Sequence, residues 1–190
     1  MSKLDVYDFD YTIYDGDSSV DYYIYNLKKN ISLIRFLPIQ IFAMVMYLFK
    51  IKDKEYFKSK YFSFVKGIKD IDNNVKEFWN LNEKNIKKEL LLLATNDVLV
   101  ISASPKFLLD EICKRNNIKY LIASNVDKTS GEFISKNCYG KEKVTMFNEK
   151  FKDFTIEKFY SDSKTDKYIA SFAKESYMVN KAKVSKWLIE

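Results

Sequence analysis

Leu4-Asp5-Val6-Tyr7-Asp8-Phe9-Asp10-Tyr11-Thr12 reads as a short β-rich run that ends in two aspartates one residue apart. Residues 4–9 have the length and composition of a buried strand, and the aspartates fall where it ends. In open α/β sheets, ligands bind beyond the carboxyl ends of the strands. Two carboxylates this close repel each other unless a cation or a proton lies between them. Taken alone, the pair also has a plain structural explanation, because aspartate is common in turns and helix caps.

The rest of the chain supplies the sheet. Residues 98–102, 120–123 and 156–161 read as further buried strands, with 176–179 as a weaker fifth. Helical patterns over 105–116, 141–151 and 166–174 separate them, and Pro105 suits a first helical turn. Strands alternating with helices of this length predict an α/β fold with a parallel sheet covered on both faces. The alternation breaks between Gly16 and Ala94, a stretch that is helical in composition, rich in aromatics, and interrupted strongly only by Pro38 and Gly67. The expected organisation is therefore a core of residues 1–15 and 95–190 with a helical subdomain, 16–94, inserted after the first strand. Residues 126–140 carry turn signals and predict a small hairpin or an irregular loop.

Composition excludes several chemistries. The 190 residues contain no histidine, which removes histidine triads, phosphohistidine and His-ligated zinc. Cys113 and Cys138 are too few for a zinc ribbon or a disulfide scaffold, so a reduced, cytoplasmic setting is expected. At 47% hydrophobic and 31% charged, the chain is globular. Its net charge is +6, yet only Arg35 and Arg115 are arginines, which argues against specific nucleic-acid readout and suits small anionic substrates better. Lys3, Asp5, Asp8 and Asp10 interrupt any signal-peptide-like run. Residues 31–51 are apolar, but Arg35, Pro38, Gln40 and Lys50 break them up; the expectation is a helix pair buried inside the insertion, with no transmembrane segment. Peripheral membrane contact through an interfacial helix stays open.

The other strand ends carry matching chemistry. The second strand finishes in Ser102-Ala103-Ser104-Pro105, where a hydroxyl and backbone N–H groups at a helix start would receive an anion; Ser104 reads as an N-cap. The fourth ends in Ser161-Asp162-Ser163-Lys164-Thr165-Asp166, and Asp162 and Asp166 share a face if a helix begins there. Lys141 opens the helix before that strand. Carboxylates, a hydroxyl and an ammonium gathered at one sheet edge are explained by a divalent cation with a phosphate, and hard oxygen ligands favour Mg²⁺.

The order and spacing of these groups resemble the haloacid dehalogenase superfamily, in its phosphoserine-phosphatase-like branch. Asp8, Asp10 and Thr12 match its Asp-x-Asp-x-Thr motif, Ser102 its serine motif, Lys141 its lysine motif, and Asp162 and Asp166 its Asp-Ser-x-x-x-Asp motif. The resemblance implies a Rossmann-like parallel sheet core with an inserted all-helical cap, and a Mg²⁺-dependent phosphatase acting on a small phosphomonoester. It implies Asp8 as nucleophile, Asp10 as acid and base, and Ser102 and Lys141 on the phosphoryl group. Mg²⁺ would rest on Asp8, the carbonyl of Asp10 and Asp162, with Asp166 behind them. Thr12 would fix the turn after Asp10. Asp10 separates phosphatases and mutases from true dehalogenases, which lack that acid.

The match departs from the family at Ala103, Ser104 and Ser161, where glycines are usual. Asp17, nine positions after Asp8, either meets the substrate or caps the first helix of the insertion. Arg35 is the insertion's only arginine and a weak candidate for substrate contact. A phosphotransferase or mutase would use the same groups. The rival class is a catalytically silent protein that binds a membrane surface or a partner through its insertion. Neither oligomeric state nor the particular phosphomonoester follows from the sequence.

Overall fold

The computed structural model describes residues 2–181 and 183–189. Its sheet has six strands: β1 (Ser2–Tyr7), β2 (Asp97–Pro105), β3 (Tyr120–Ser124), β4 (Phe154–Ser161), β5 (Ala173–Asn180) and β6 (Lys183–Lys186). They lie in the order β3-β2-β1-β4-β5-β6, all parallel except the antiparallel β5–β6 pair. The chain builds outward from β1 through β2 to β3, then crosses back to place β4 on the other side of β1. This reversal opens a crevice at the carboxyl end of β1, directly beyond Tyr7.

Helices cover both faces: α6 (Lys106–Arg115), α7 (Lys141–Lys150) and the short α8 (Lys167–Ala170) connect the later strands. Alternation along β1 sorts its side chains. Leu4 and Val6 join Leu99, Ile101, Phe147 and Ile169 on one face, while Tyr7 joins Val100, Leu108 and Ile112 on the other. At the register pairs Tyr7–Tyr160 and Tyr160–Tyr177, three tyrosine rings stack across β1, β4 and β5, with centroids 4.5 and 4.9 Å apart.

Between β1 and β2 the chain forms α1 (Ser18–Lys29), α2 (Leu37–Leu48), α3 (Lys54–Tyr61), α4 (Ile71–Asn82) and α5 (Lys88–Leu91), with 3-10 turns at Ile31–Phe36, Phe62–Gly67 and Glu83–Asn85. Aspartates 17, 53 and 70 cap α1, α3 and α4, each accepting from backbone N–H groups of the first turn. Residue 94 is not a packing boundary, however. Trp79 on α4 is fully buried against the sheet's cover and donates from Nε1 to the Leu108 carbonyl at 2.7 Å. Tyr7 on β1 reaches the Leu90 carbonyl of α5 at 3.2 Å. The last two helices of the insertion therefore share the core of the sheet, and Tyr22 of α1 joins the same cluster through Phe107 of α6.

Several local expectations need correction. β2 continues to Pro105, the helix expected over 166–174 shrinks to a 3-10 turn and α8, and β5 is correspondingly longer. The strand β6 was not visible in the sequence. Finally, the apolar segment after residue 31 is not a buried helix pair: the helical run Ile31–Leu48 is only 17% buried. On α2 just Gln40 and Ala43 are covered, because few elements besides α3 lie alongside it.

Candidate active site

Asp8 follows β1 immediately, its N–H donating to the Tyr160 carbonyl at 2.9 Å, so the carboxylate emerges at the crevice beside β4. The chain then folds back on itself. Thr12 and Tyr14 N–H groups both return to the Phe9 carbonyl, and Tyr11 takes a left-handed conformation at φ 56°. Thr12 ties this loop to the end of β4: its hydroxyl accepts from the Asp162 N–H at 3.0 Å and lies 3.4 Å from Asp162 Oδ1. Thr12 thus positions the two loops relative to each other.

Asp8, Asp10, Ser102, Asp162 and Asp166 all line one cavity of about 550 Å³. Ser102 is buried and its Oγ accepts from the Ser104 N–H at 3.1 Å, which leaves the hydroxyl proton to donate into the cavity. Asp10 is clasped from two sides, by the Ser18 N–H at 2.7 Å and the Ser104 hydroxyl at 2.5 Å. Burial, followed by the nearby Asp17 charge, outweighs these bonds and pushes Asp10 up to about 6. Burial and the Asp166 and Asp10 charges raise Asp8 well above the usual carboxylate range, against the pull of Lys143.

The lysine of the site is Lys143, not Lys141. Lys143 is buried, with Nζ 2.7 Å from Asp8 Oδ1 and 2.7 Å from Asp166 Oδ2, and those two carboxylates hold it protonated. Lys141 is exposed, lies over the Tyr168 ring at 5.1 Å, and borders a separate groove between α7 and α8. The reason is helical phase. Lys143 and Phe147 are one turn apart and are the buried residues of α7, whereas Lys141 projects from another side. The alignment of Phe147 with Lys143 is the sequence signal that could have found it.

Other expectations are also revised. Ser104 does not cap α6, whose N-cap is Pro105; it lies on β2 two residues beyond Ser102 and shares its side of the strand. Asp17 caps α1 through the Ser19 and Val20 N–H groups at 3.0 Å while also lining the cavity. Arg35 is exposed against Phe36, away from the cavity. In its place α3 brings two lysines that sequence reasoning missed. Lys58 Nζ donates to the Ala103 carbonyl at 2.8 Å and to Asn137 Oδ1 at 3.3 Å; Lys54 sits 3.4 Å from the centroid of the Tyr139 ring. Their i,i+4 spacing, which puts both on one side of α3, was the available signal.

The donor set suits a hard cation. Lys143 engages one Asp8 oxygen, Asp162 is half-buried on the wall of the same cavity, and the surplus of buried carboxylate charge favours a cation. Among the described residues no three His, Cys, Asp or Glu side chains converge as a metal cluster. A cation here would therefore need the Asp10 carbonyl, water or ligand oxygens in addition.

A cavity at the reversal point of a parallel sheet, lined by carboxylates from two strand ends with a buried lysine between them, defines a hydrolase-type α/β site. The sequence matches the family model for haloacid dehalogenase-like hydrolases over residues 6–171, and the chain belongs to that family. No curated protein matches it in sequence. Among solved structures, a Bordetella pertussis Tohama I protein of unknown function superposes with a TM-score of 0.76 at 16% identity, covering 93% of this chain and 89% of that one. A phosphoserine phosphohydrolase-like protein from Francisella tularensis gives 0.57 at 15% identity over 93% and 86%. A probable phosphoserine phosphatase from Vibrio cholerae gives 0.59 at 11% identity, over 93% of this chain and 55% of that longer one. At these identities the likeness is one of fold, and the fold is that of the phosphoserine-phosphatase-like structures.

Proposed function

We propose that the protein is a phosphatase that hydrolyses a small phosphomonoester through a phosphorylated Asp8. The observation that carries this reading is the pairing of two differently held carboxylates in one cavity: Asp8 against the Lys143 ammonium, Asp10 clasped by Ser18 and Ser104. Environments that separate two acids in this way assign them different roles.

Asp8 attacks phosphorus, the bond to the ester oxygen breaks, and Asp10 delivers its proton to the departing alcohol. A water then attacks the aspartyl phosphate, giving its proton to Asp10 and releasing phosphate. Ser102 donates to a phosphoryl oxygen, and Lys143 balances charge on the nucleophile. Asp8, the Asp10 carbonyl and Asp162 would hold Mg²⁺, which supplies charge neutralisation between carboxylates and phosphate. Lys54 and Lys58 line the same cavity from α3 and bring positive charge to it, which suits an anionic substrate.

Turnover of an aryl phosphate, measured with and without Mg²⁺, tests the reading. Wild-type protein is expected to be active with the metal, and Asp8→Asn to lose at least about a thousandfold. Unchanged turnover in Asp8→Asn would refute the assignment.

A further inference from the structure

The helical run Ile31–Leu48 is inverted relative to a helix that faces water. On α2 the one amide side chain points inward: Gln40 is buried, accepting from the Tyr23 hydroxyl at 2.6 Å and donating to the Tyr61 carbonyl at 2.8 Å. Apart from Leu33 and Ala43, which are buried, most of the large apolar residues of the run point outward. Ile41, Phe42, Met44 and Leu48 are exposed, and Phe49 just beyond them is 74% exposed. The 12 residues of α2 at about 1.5 Å each span about 18 Å, and the exposed side of that length is apolar from Ile39 to Leu48.

Charge identifies the occupant. Residues 22–52 contain five basic side chains, Lys28, Lys29, Arg35, Lys50 and Lys52, and no acidic one; the flanking acids are engaged, Asp21 by the Tyr14 hydroxyl and Asp53 as the cap of α3. Lys29 is paired with Glu77; among the described residues the other four make no ion pair, and all are exposed. They sit toward the two ends of the apolar run, Lys28 and Arg35 at one and Lys50 and Lys52 at the other. A second copy docked face to face would set these cations against each other with no acid in the segment to answer them. An apolar stripe ended by basic residues is instead the pattern of a helix lying in an anionic lipid interface, with its long cationic side chains reaching the headgroups.

We propose that the α2 face of the insertion docks peripherally on an anionic bilayer surface. The docking is independent of the phosphatase reading, and Asp8→Asn, which removes catalysis, should bind lipid like the wild type.

Co-sedimentation of the full chain with phosphatidylcholine vesicles, with and without phosphatidylglycerol, tests this. Partition onto the anionic vesicles is expected to be at least about tenfold stronger, and to weaken with added salt. Ile41→Glu/Phe49→Glu should abolish it and Lys50→Gln/Lys52→Gln should weaken it. Both variants should keep the wild-type melting temperature and aryl phosphate turnover. Failure of the wild type to sediment with anionic vesicles would overturn the proposal. So would a wild-type dimer in sedimentation equilibrium that Ile41→Glu/Phe49→Glu splits, without lipid binding by either protein.

Discussion

Lys143 reaches two buried carboxylates at once, and its removal strands both. Lys143→Ala should cost about 3–5 kcal/mol of stability, the usual penalty for an uncompensated buried charge, and lower kcat by at least about a hundredfold. Lys141→Ala should leave kcat within about twofold, since that side chain is exposed on another groove. Aryl phosphate kinetics with parallel thermal melts distinguishes the two lysines directly. Asp5 is a further buried carboxylate, with a structural role. It accepts from the Thr95 and Asn96 N–H groups and from both their side chains, fastening the turn into β2. Asp5→Ala should cost about 2–4 kcal/mol in urea unfolding, with turnover per folded molecule unchanged. At this scale Asp8, Asp10, Ser102 and Asp162 were legible because each ends a recognisable strand. Lys143 was not, because two lysines separated by one residue at a helix start can be told apart only by helical phase.

Elements carry the next level of stability. Trp79 joins α4 to α6 through its bond to Leu108 and packs edge-on to the Phe9 and Tyr14 rings, 6.1 and 5.5 Å away. Trp79→Ala should cost about 3–5 kcal/mol, and Trp79→Phe about 1–2 kcal/mol, because it keeps a ring but loses the indole's bond to the Leu108 carbonyl. Urea denaturation of both variants checks the difference. The same contact was hidden in the sequence: composition marks α4 as helical, but only packing shows that it covers the sheet. The strands were read from their β-rich apolar runs. Short β6, with Lys183, Ser185 and Lys186 among its four residues, offered no such run. The exposure of α2 was equally hidden, since an apolar helix reads as core until its neighbours are counted.

Over the whole molecule, α3 is fastened to the sheet by Lys58, and that fastening depends on protons. Burial against the end of β2, with Lys54 adding repulsion, lowers Lys58 from 10.5 to about 8, while Asp10, Asp17 and Cys138 pull the other way. The attached arrangement therefore binds fewer protons than the detached one between pH 8 and 10.5. Attachment should strengthen as pH rises through that interval, and below pH 8 it carries the full cost of burying a cation. Proteolysis near α3 should accordingly slow from pH 8 to pH 10, and Lys58→Met should flatten the trend. An anionic ligand beside Lys58 would restore its proton, so phosphate binding near pH 9 should take up protons, seen as a binding enthalpy that varies with the buffer's ionisation heat.

The three stacked tyrosines give this sheet an optical property. Parallel chromophores under 5 Å apart couple their electronic transitions, and the rings of residues 7, 160 and 177 belong to three different strands. Their shared near-ultraviolet dichroism would report whether those strands stand in register, without any introduced dye.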